Sequence, residues 1–469
     1  MSFITRRRPI DAHRAEATRL TPTLGWARLT ALGVGAIIGT GIYTLTGIGA
    51  GLAGPAVIVS FLIAGAVCAC AALAYAEMAT LMPAAGSAYT YSYSVMGELV
   101  AWVVGWSLIL EYTVVCSAVS VGWAAYASGV IQANGWPIPA ELLAGPGAGG
   151  LVNLPAVLIA LAVTTMLTAG TRESASVNFV LVIVKVAALA AFVAIALPAF
   201  DASNFQPFAP FGFGAETGAD GARRGVMAAA ALIFFAFYGF DAISTAAEEA
   251  KRPERDLTVA IVGSMLICTL IYMLVAAASL GASPFTVFST SEEPLAFILR
   301  ELNQPFAATL IAGAAIIALP TVIMVFMYGQ SRIFFAMSRD GLLPRGLMKV
   351  GARGVPVRVT VLTGVIAAAI AGFMPLKDIA ELANAGTLAA FVATALAMMI
   401  LRRQAPGLER PFACPWPWVV GPLAVAGCLY LFASLPAATQ VRFAIWNAVG
   451  VLVYLAYGRV KSRLATPSP

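Results

Sequence analysis

The chain has 469 residues, 60% of them apolar and 11% charged, with a formal net charge of +6 and a mean hydropathy of +0.89. A soluble domain carries about a quarter charged residues and has too little interior to hide this much hydrocarbon, so a string of soluble domains is excluded and one membrane domain is expected. The basic residues sit in short clusters between apolar blocks and not on one stripe, so the positive charge predicts membrane topology and no nucleic-acid partner.

At the N-terminus Arg6-Arg7-Arg8 is followed by mixed residues and not by a short apolar run with a small-residue cleavage site, so the tail is expected to be retained. The sole histidine, His13, lies in this tail, which leaves none for acid–base or metal chemistry within the membrane. Crossing a hydrocarbon layer of about 30 Å takes about twenty helical residues. Blocks of that kind recur over 30–52, 56–82, 95–128, 151–169, 176–199, 226–250, 257–281, 305–336, 357–374, 379–401, 417–437 and 442–460. They are long, rich in Ala and Leu and lack period-2 alternation, which predicts helices and excludes a β-barrel.

Cys68, Cys70, Cys116, Cys268 and Cys428 fall inside these blocks and Cys414 in a connection. That pattern offers neither a disulfide framework nor a metal site, and no cofactor is expected. Twelve crossings put both termini on one side. With that parity, 22 of the 28 basic residues lie in the loops on the side of the termini, five lie opposite, and Lys185 is inside a span. The bias places both termini in the cytoplasm, in the inner membrane of a bacterium.

Two spans are interrupted. The first reads Leu32-Gly33-Val34-Gly35-Ala36-Ile37-Ile38-Gly39-Thr40-Gly41-Ile42-Tyr43, and the sixth Phe234-Phe235-Ala236-Phe237-Tyr238-Gly239-Phe240-Asp241-Ala242-Ile243-Ser244. They are five crossings apart and so run in opposite directions, as an inverted repeat of spans 1–5 and 6–10 requires. Freed backbone groups persist in hydrocarbon only where they line a cavity or bind something. At Ile38 to Gly41 the N–H groups opening a second half-helix suit a carboxylate. Around Phe235, Phe237 and Tyr238, freed carbonyls suit an ammonium group. Together these describe the main chain of an L-amino acid. For the first span alone, the Gly35/Gly39 spacing is equally a helix-packing step.

The run Gly35-Ala36-Ile37-Ile38-Gly39-Thr40-Gly41-Ile42-Tyr43, the segments Ala74-Tyr75-Ala76-Glu77-Met78-Ala79 and Pro83-Ala84-Ala85-Gly86-Ser87-Ala88-Tyr89, and Leu110-Glu111-Tyr112 resemble the amino acid–polyamine–organocation superfamily. Within it they are most similar to the cationic amino acid transporter family. Glu248-Glu249-Ala250-Lys251-Arg252-Pro253-Glu254-Arg255-Asp256 and Tyr328-Gly329-Gln330-Ser331-Arg332 fit the same pattern. The resemblance spans roughly residues 25–405. It implies an all-α polytopic membrane protein of LeuT-type fold, with 12 transmembrane helices, a five-plus-five inverted repeat, helices 1 and 6 broken, and alternating access. The expected division is a cytoplasmic tail over 1–28, a ten-helix transport core over 29–403, and two additional helices with a short C-terminus over 404–469. The resemblance further implies that Phe235 closes over the substrate as an aromatic gate.

Charged residues inside a span cost about 2.5–3.5 kcal/mol on insertion scales, so each is a functional candidate. Lys185 stands where sodium-coupled relatives of this fold hold a cation site. The resemblance therefore implies sodium independence, with Lys185 either carrying the coupling proton or tethering the carbonyls of span 1. Glu111 in span 3 is a candidate partner for a cationic substrate side chain, or an inter-helix hydrogen-bonding group. Asp241 is expected to cap the second half of span 6, with substrate contact as the alternative, Glu77 to pair with neighbouring helices, Thr40 to add a hydroxyl to the carboxylate site, and Ser244 or Thr245 to line the cavity.

The leading expectation is a secondary transporter of L-amino acids, cationic (arginine or lysine) or broad in specificity, coupled to protons. An exchanger or uniporter for neutral amino acids or polyamines is the alternative. A membrane amino-acid sensor belongs to a third class, for which a large soluble tail is expected. An enzyme is not expected, since no nucleophile–base pair or metal cluster is present. The partners are the bilayer, the solute and the proton, with a small accessory membrane subunit as a further candidate.

Overall fold

In the computed structural model, residues 6–10, 23–84, 86–169, 175–218, 222–348 and 356–465 are described. His13, Ala85 and five of the basic residues in the orientation count (Arg14, Arg19, Arg172, Lys349 and Arg353) lie outside them, as does most of the expected tail.

Among the described residues, nine stretches are long and apolar enough to cross a membrane, and Trp26–Ile37, Leu154–Thr168 and Val357–Phe373 are shorter apolar helices. One stretch, Leu45–Leu81, is divided at Gly54, whose φ of 64° turns the chain from span 1 into span 2. Spans 2 to 5 are Val57–Leu81, Glu98–Ala133, Leu154–Thr168 and Ala175–Ala196. Spans 7 to 12 are Pro253–Ala282, Pro305–Arg339, Val357–Phe373, Leu376–Gln404, Pro417–Ser434 and Ala437–Val453. Pro253, Pro305 and Pro417 each occupy a first helical position, where the missing N–H costs nothing.

Spans 1 and 6 are broken. Span 1 comprises Trp26–Ile37, Thr40–Tyr43 and Leu45–Ala53. Span 6 runs over Val226–Ile233, tightens into a 3-10 turn at Phe234–Ala236 and resumes at Asp241–Thr245.

Packing follows the repeat. Span 2 lies along span 7, span 3 along span 8 and span 4 along span 9, and the halves of span 1 meet those of span 6, so four of the first five helices meet their counterparts in the second. Spans 11 and 12 pack outside this core, span 11 on spans 2 and 10 and span 12 on spans 3 and 10. Outside the helices, a small hairpin pairs Glu216–Thr217 with Arg223–Arg224.

Element ends depart from the sequence reading where polar residues enter a helix. Span 12 begins at Ala437 and not at 442, so Arg442 lies within the helix, where it pairs with Asp378 of span 10 at 3.2 Å. Span 3 continues to Ala133, beyond the expected 128.

Candidate functional site

The helix ends at Ile37 because Ile38 turns to an extended ψ of 92°, and it restarts at Thr40 with Gly39 extended as its cap. The first N–H groups of a helix have no intrahelical acceptor, so the donors of Thr40 and Gly41 face the break. In span 6, Gly239 takes a φ of 116°, open only to glycine.

The two breaks touch. A Cβ on Gly239 would lie 2.9 Å from the carbonyl carbon of Ala36, and one on Gly41 would overlap the backbone of Ala236. These glycines let two backbones meet where any side chain would hold them apart.

The carbonyls closing the first half of span 1 are capped by donors from other helices. Lys185 Nζ donates to Gly35 O at 2.9 Å and to Thr321 Oγ1 at 3.0 Å, and Tyr272 OH donates to Ile37 O at 2.7 Å. A cation at a helix C-terminus is favoured by the macrodipole. In span 6, Asn384 Nδ2 donates to the carbonyls of Ala231 and Leu232 at 2.7 and 3.0 Å. Tyr126 OH donates to Tyr43 O at 2.6 Å.

Ile38, Gly39, Thr40, Gly41, Glu111, Lys185, Phe235, Phe237, Tyr238 and Asp241 are all buried. Phe235 and Tyr238 pack edge to face at 4.9 Å, and Tyr238 meets Phe326 of span 8 at 6.0 Å. Phe237 points elsewhere, into spans 2 and 7 against Phe61 and Tyr272, so it brings only its backbone to the break. Thr40 packs on Gly122 of span 3, and its hydroxyl is buried without a partner.

Asp241 is the first residue of its short helix and not its cap. Its carboxylate reaches back to accept the Gly239 N–H at 3.0 Å and the Tyr112 hydroxyl at 2.7 Å, pinning the span 6 break to span 3. Ser244 donates to Asp241 O and accepts from the Ser87 hydroxyl. Glu77 accepts from Arg402, Arg410 and the N–H of Cys414. Glu111, close against Gly386 of span 10, has both carboxylate oxygens buried without a hydrogen-bond partner.

A cavity of about 300 Å³ lies between the second half of span 6 and span 8, reaching from Arg28, Glu249 and Arg332 up to Asn178 and Ala242. Thr245 lines it, and the break residues Ile38 to Gly41 and Phe235 to Tyr238 do not. Sequence reading missed Asn384, Tyr272 and Tyr126. An amide in the interior of the alanine-rich span 10 is a detectable signal, whereas a tyrosine within a span looks like ordinary packing.

The described residues include no group of His, Cys, Asp and Glu able to hold a metal ion. A family model described as amino acid permease matches residues 24–457. The chain is 44% identical over 446 residues to the branched-chain amino acid permease BcaP of Bacillus subtilis, covering 94% of each. It is 40% identical over 470 residues to the methylthioribose transporter of the same organism, covering 99% of this chain and all of the other. It is also 35% identical over 420 residues to the vacuolar cationic amino acid transporter 4 of Arabidopsis thaliana, covering 87% of this chain and 68% of that one.

Proposed function

The chain belongs to the amino acid permease family of the amino acid–polyamine–organocation superfamily, and from that premise we propose that it is a sodium-independent, proton-coupled secondary transporter of L-amino acids, cationic or broad in specificity. It is a membrane transport protein and not an enzyme. The observation that carries the finer reading is the contact between the two helix breaks, Gly239 on Ala36 and Gly41 on Ala236. Two broken helices meeting inside a buried core supply N–H donors from one and backbone acceptors from the other, the complement of a zwitterion.

In this reading Ile38 to Gly41 hold the carboxylate, and the backbone from Phe235 to Tyr238 holds the amine. Phe235 and Tyr238 form the aromatic cover. Glu111 faces a cationic side chain, and Asp241 keeps the break in shape. Lys185 fills the place of a sodium ion with its own charge and releases the coupling proton when span 1 moves. The transport core covers 29–403, between the tail over 1–28 and the two outer helices over 404–469. The protein sits in a bacterial inner membrane with both termini cytoplasmic, supported by the loop charges and by the Bacillus relatives.

A second reading, a permease for neutral branched-chain amino acids, is favoured by the apolar wall beside the break, where a Cβ on Gly39 would touch the methyl groups of Val322 at 3.6 Å, and BcaP is named for such substrates. Uptake of labelled arginine, leucine and methylthioribose into proteoliposomes, under imposed pH or sodium gradients, separates the readings. Accumulation of arginine driven by a pH gradient supports the first. Leucine uptake with no arginine uptake supports the second, and sodium-driven accumulation overturns the coupling in both.

A further inference from the structure

Glu249, just past the second half of span 6, joins three elements. Its carbonyl oxygen accepts the N–H of Thr23 at 3.0 Å and of Leu24 at 2.9 Å, and Lys251 N–H donates to Leu24 O at 2.8 Å. The chain entering span 1 is thereby bridged in parallel to the chain leaving span 6, Leu24 against Ala250. The Glu249 side chain takes an ion pair from Arg332 of span 8. Arg332 also donates to Thr245 O at 2.6 Å and lies 4.1 Å over the ring of Tyr328.

The inner half of span 1 is therefore tied to span 6 at two heights, at the break through Gly239 and Ala36 and at its start through Leu24 and Glu249. The cavity described above runs between this pair and span 8. Leu24, Arg28, Leu32, Ala242 and Ala246 line one side of it, and Tyr328 and Arg332 the other. A charged contact across a cavity of this kind holds its walls together, and a backbone bridge passes the restraint from one wall helix to the other.

We propose that Glu249 and Arg332 form a bolt on the inner gate, and that the Leu24–Glu249 backbone bridge makes the inner halves of spans 1 and 6 open as one body. The proposal rests on the alternating-access reading but not on the identity of the solute. Glu249 and Arg332 are positioning residues: they set the gate and do not touch the substrate.

The test is the rate at which a membrane-impermeant maleimide labels the full-length chain carrying Leu32→Cys or Ala246→Cys, in inverted membrane vesicles without substrate. A partly buried charge-assisted bond is worth enough to change the open fraction by about tenfold or more. Glu249→Gln is expected to raise labelling at both positions by that factor. Arg332→Gln, which also removes the bond to Thr245 O, is expected to raise it at least as much, and the double variant not to exceed Arg332→Gln alone, since the Glu249 contact is already lost there. With Leu24→Pro added, which deletes one of the two N–H groups donated to Glu249 O and, through the fixed φ of proline, breaks the paired geometry of the bridge, Glu249→Gln is expected to raise labelling at position 246 more than at position 32.

Unchanged labelling in Glu249→Gln, or additive effects in the double variant, overturns the bolt. A rise at position 246 alone with Leu24 intact overturns the coupling. Because no transport is measured, a failed uptake assay and a failed gate are told apart.

Discussion

The Nζ of Lys185 lies 2.9 Å from the carbonyl oxygen of Gly35, so a side-chain cation from span 5 sits at the C-terminal end of the first half of span 1. Its charge and the negative end of that half-helix stabilise each other. In the proton-coupled reading proposed above, loss of the proton from Lys185 would weaken this tie and release span 1. With one proton per solute, a gradient of one pH unit sustains about tenfold accumulation. Lys185→Ala is expected to abolish that accumulation in proteoliposomes while leaving downhill exchange measurable, and a sodium gradient is expected not to replace it.

Glu111 has two buried oxygens without a hydrogen-bond partner, and in the cationic-substrate reading they would meet the substrate side chain. Glu111→Gln is expected to lower arginine uptake about tenfold relative to leucine uptake. An equal loss for both substrates would assign Glu111 to helix packing.

The contact between the breaks depends on two glycines. Gly41→Val places methyl groups in the backbone of Ala236, and Gly239→Ala strains a φ of 116° against Ala36. Each is expected to destabilise the protein by about 1–3 kcal/mol, read as a lower thermal midpoint in detergent. Gly313→Ala, in span 8 with nothing near its Cβ position, serves as the control and is expected not to lower the midpoint.

Glu293 lies in the connection between spans 7 and 8, where burial pushes its carboxyl above the usual glutamate range and the neighbouring Arg300 offsets part of the rise. One of its oxygens pairs with Arg300 at 2.5 Å and the other is buried without a partner. A raised folded value means the folded state binds the proton more tightly, so this group's contribution improves as pH falls from neutrality toward the unfolded value. Glu292, also raised by burial, and Tyr126 share the surroundings of Glu293. Glu293→Gln is expected to flatten the rise in thermal midpoint between about pH 7 and 5, measured on the full chain.

Much of the fold was legible because its signals are local. Span length and the glycines at 39 and 239 each follow from a short window of sequence and one property of lipid, that backbone polar groups must be satisfied inside it. The same windows marked Lys185, Glu111 and Asp241 by their cost. Asn384, Tyr272 and Tyr126 act only through carbonyls on helices far away in the chain, so no window contains both partners.

By itself the sequence determined that this chain crosses a membrane as helices, that two of those helices are interrupted, and which charges they bury. Only the tertiary structure decided that the interruptions meet, that Asp241 turns back to Gly239 and Tyr112, and that Phe237 faces spans 2 and 7. The physical reason is that periodicity and burial cost are properties of single segments, whereas contact between backbones depends on how helices with hundreds of residues between them pack in three dimensions.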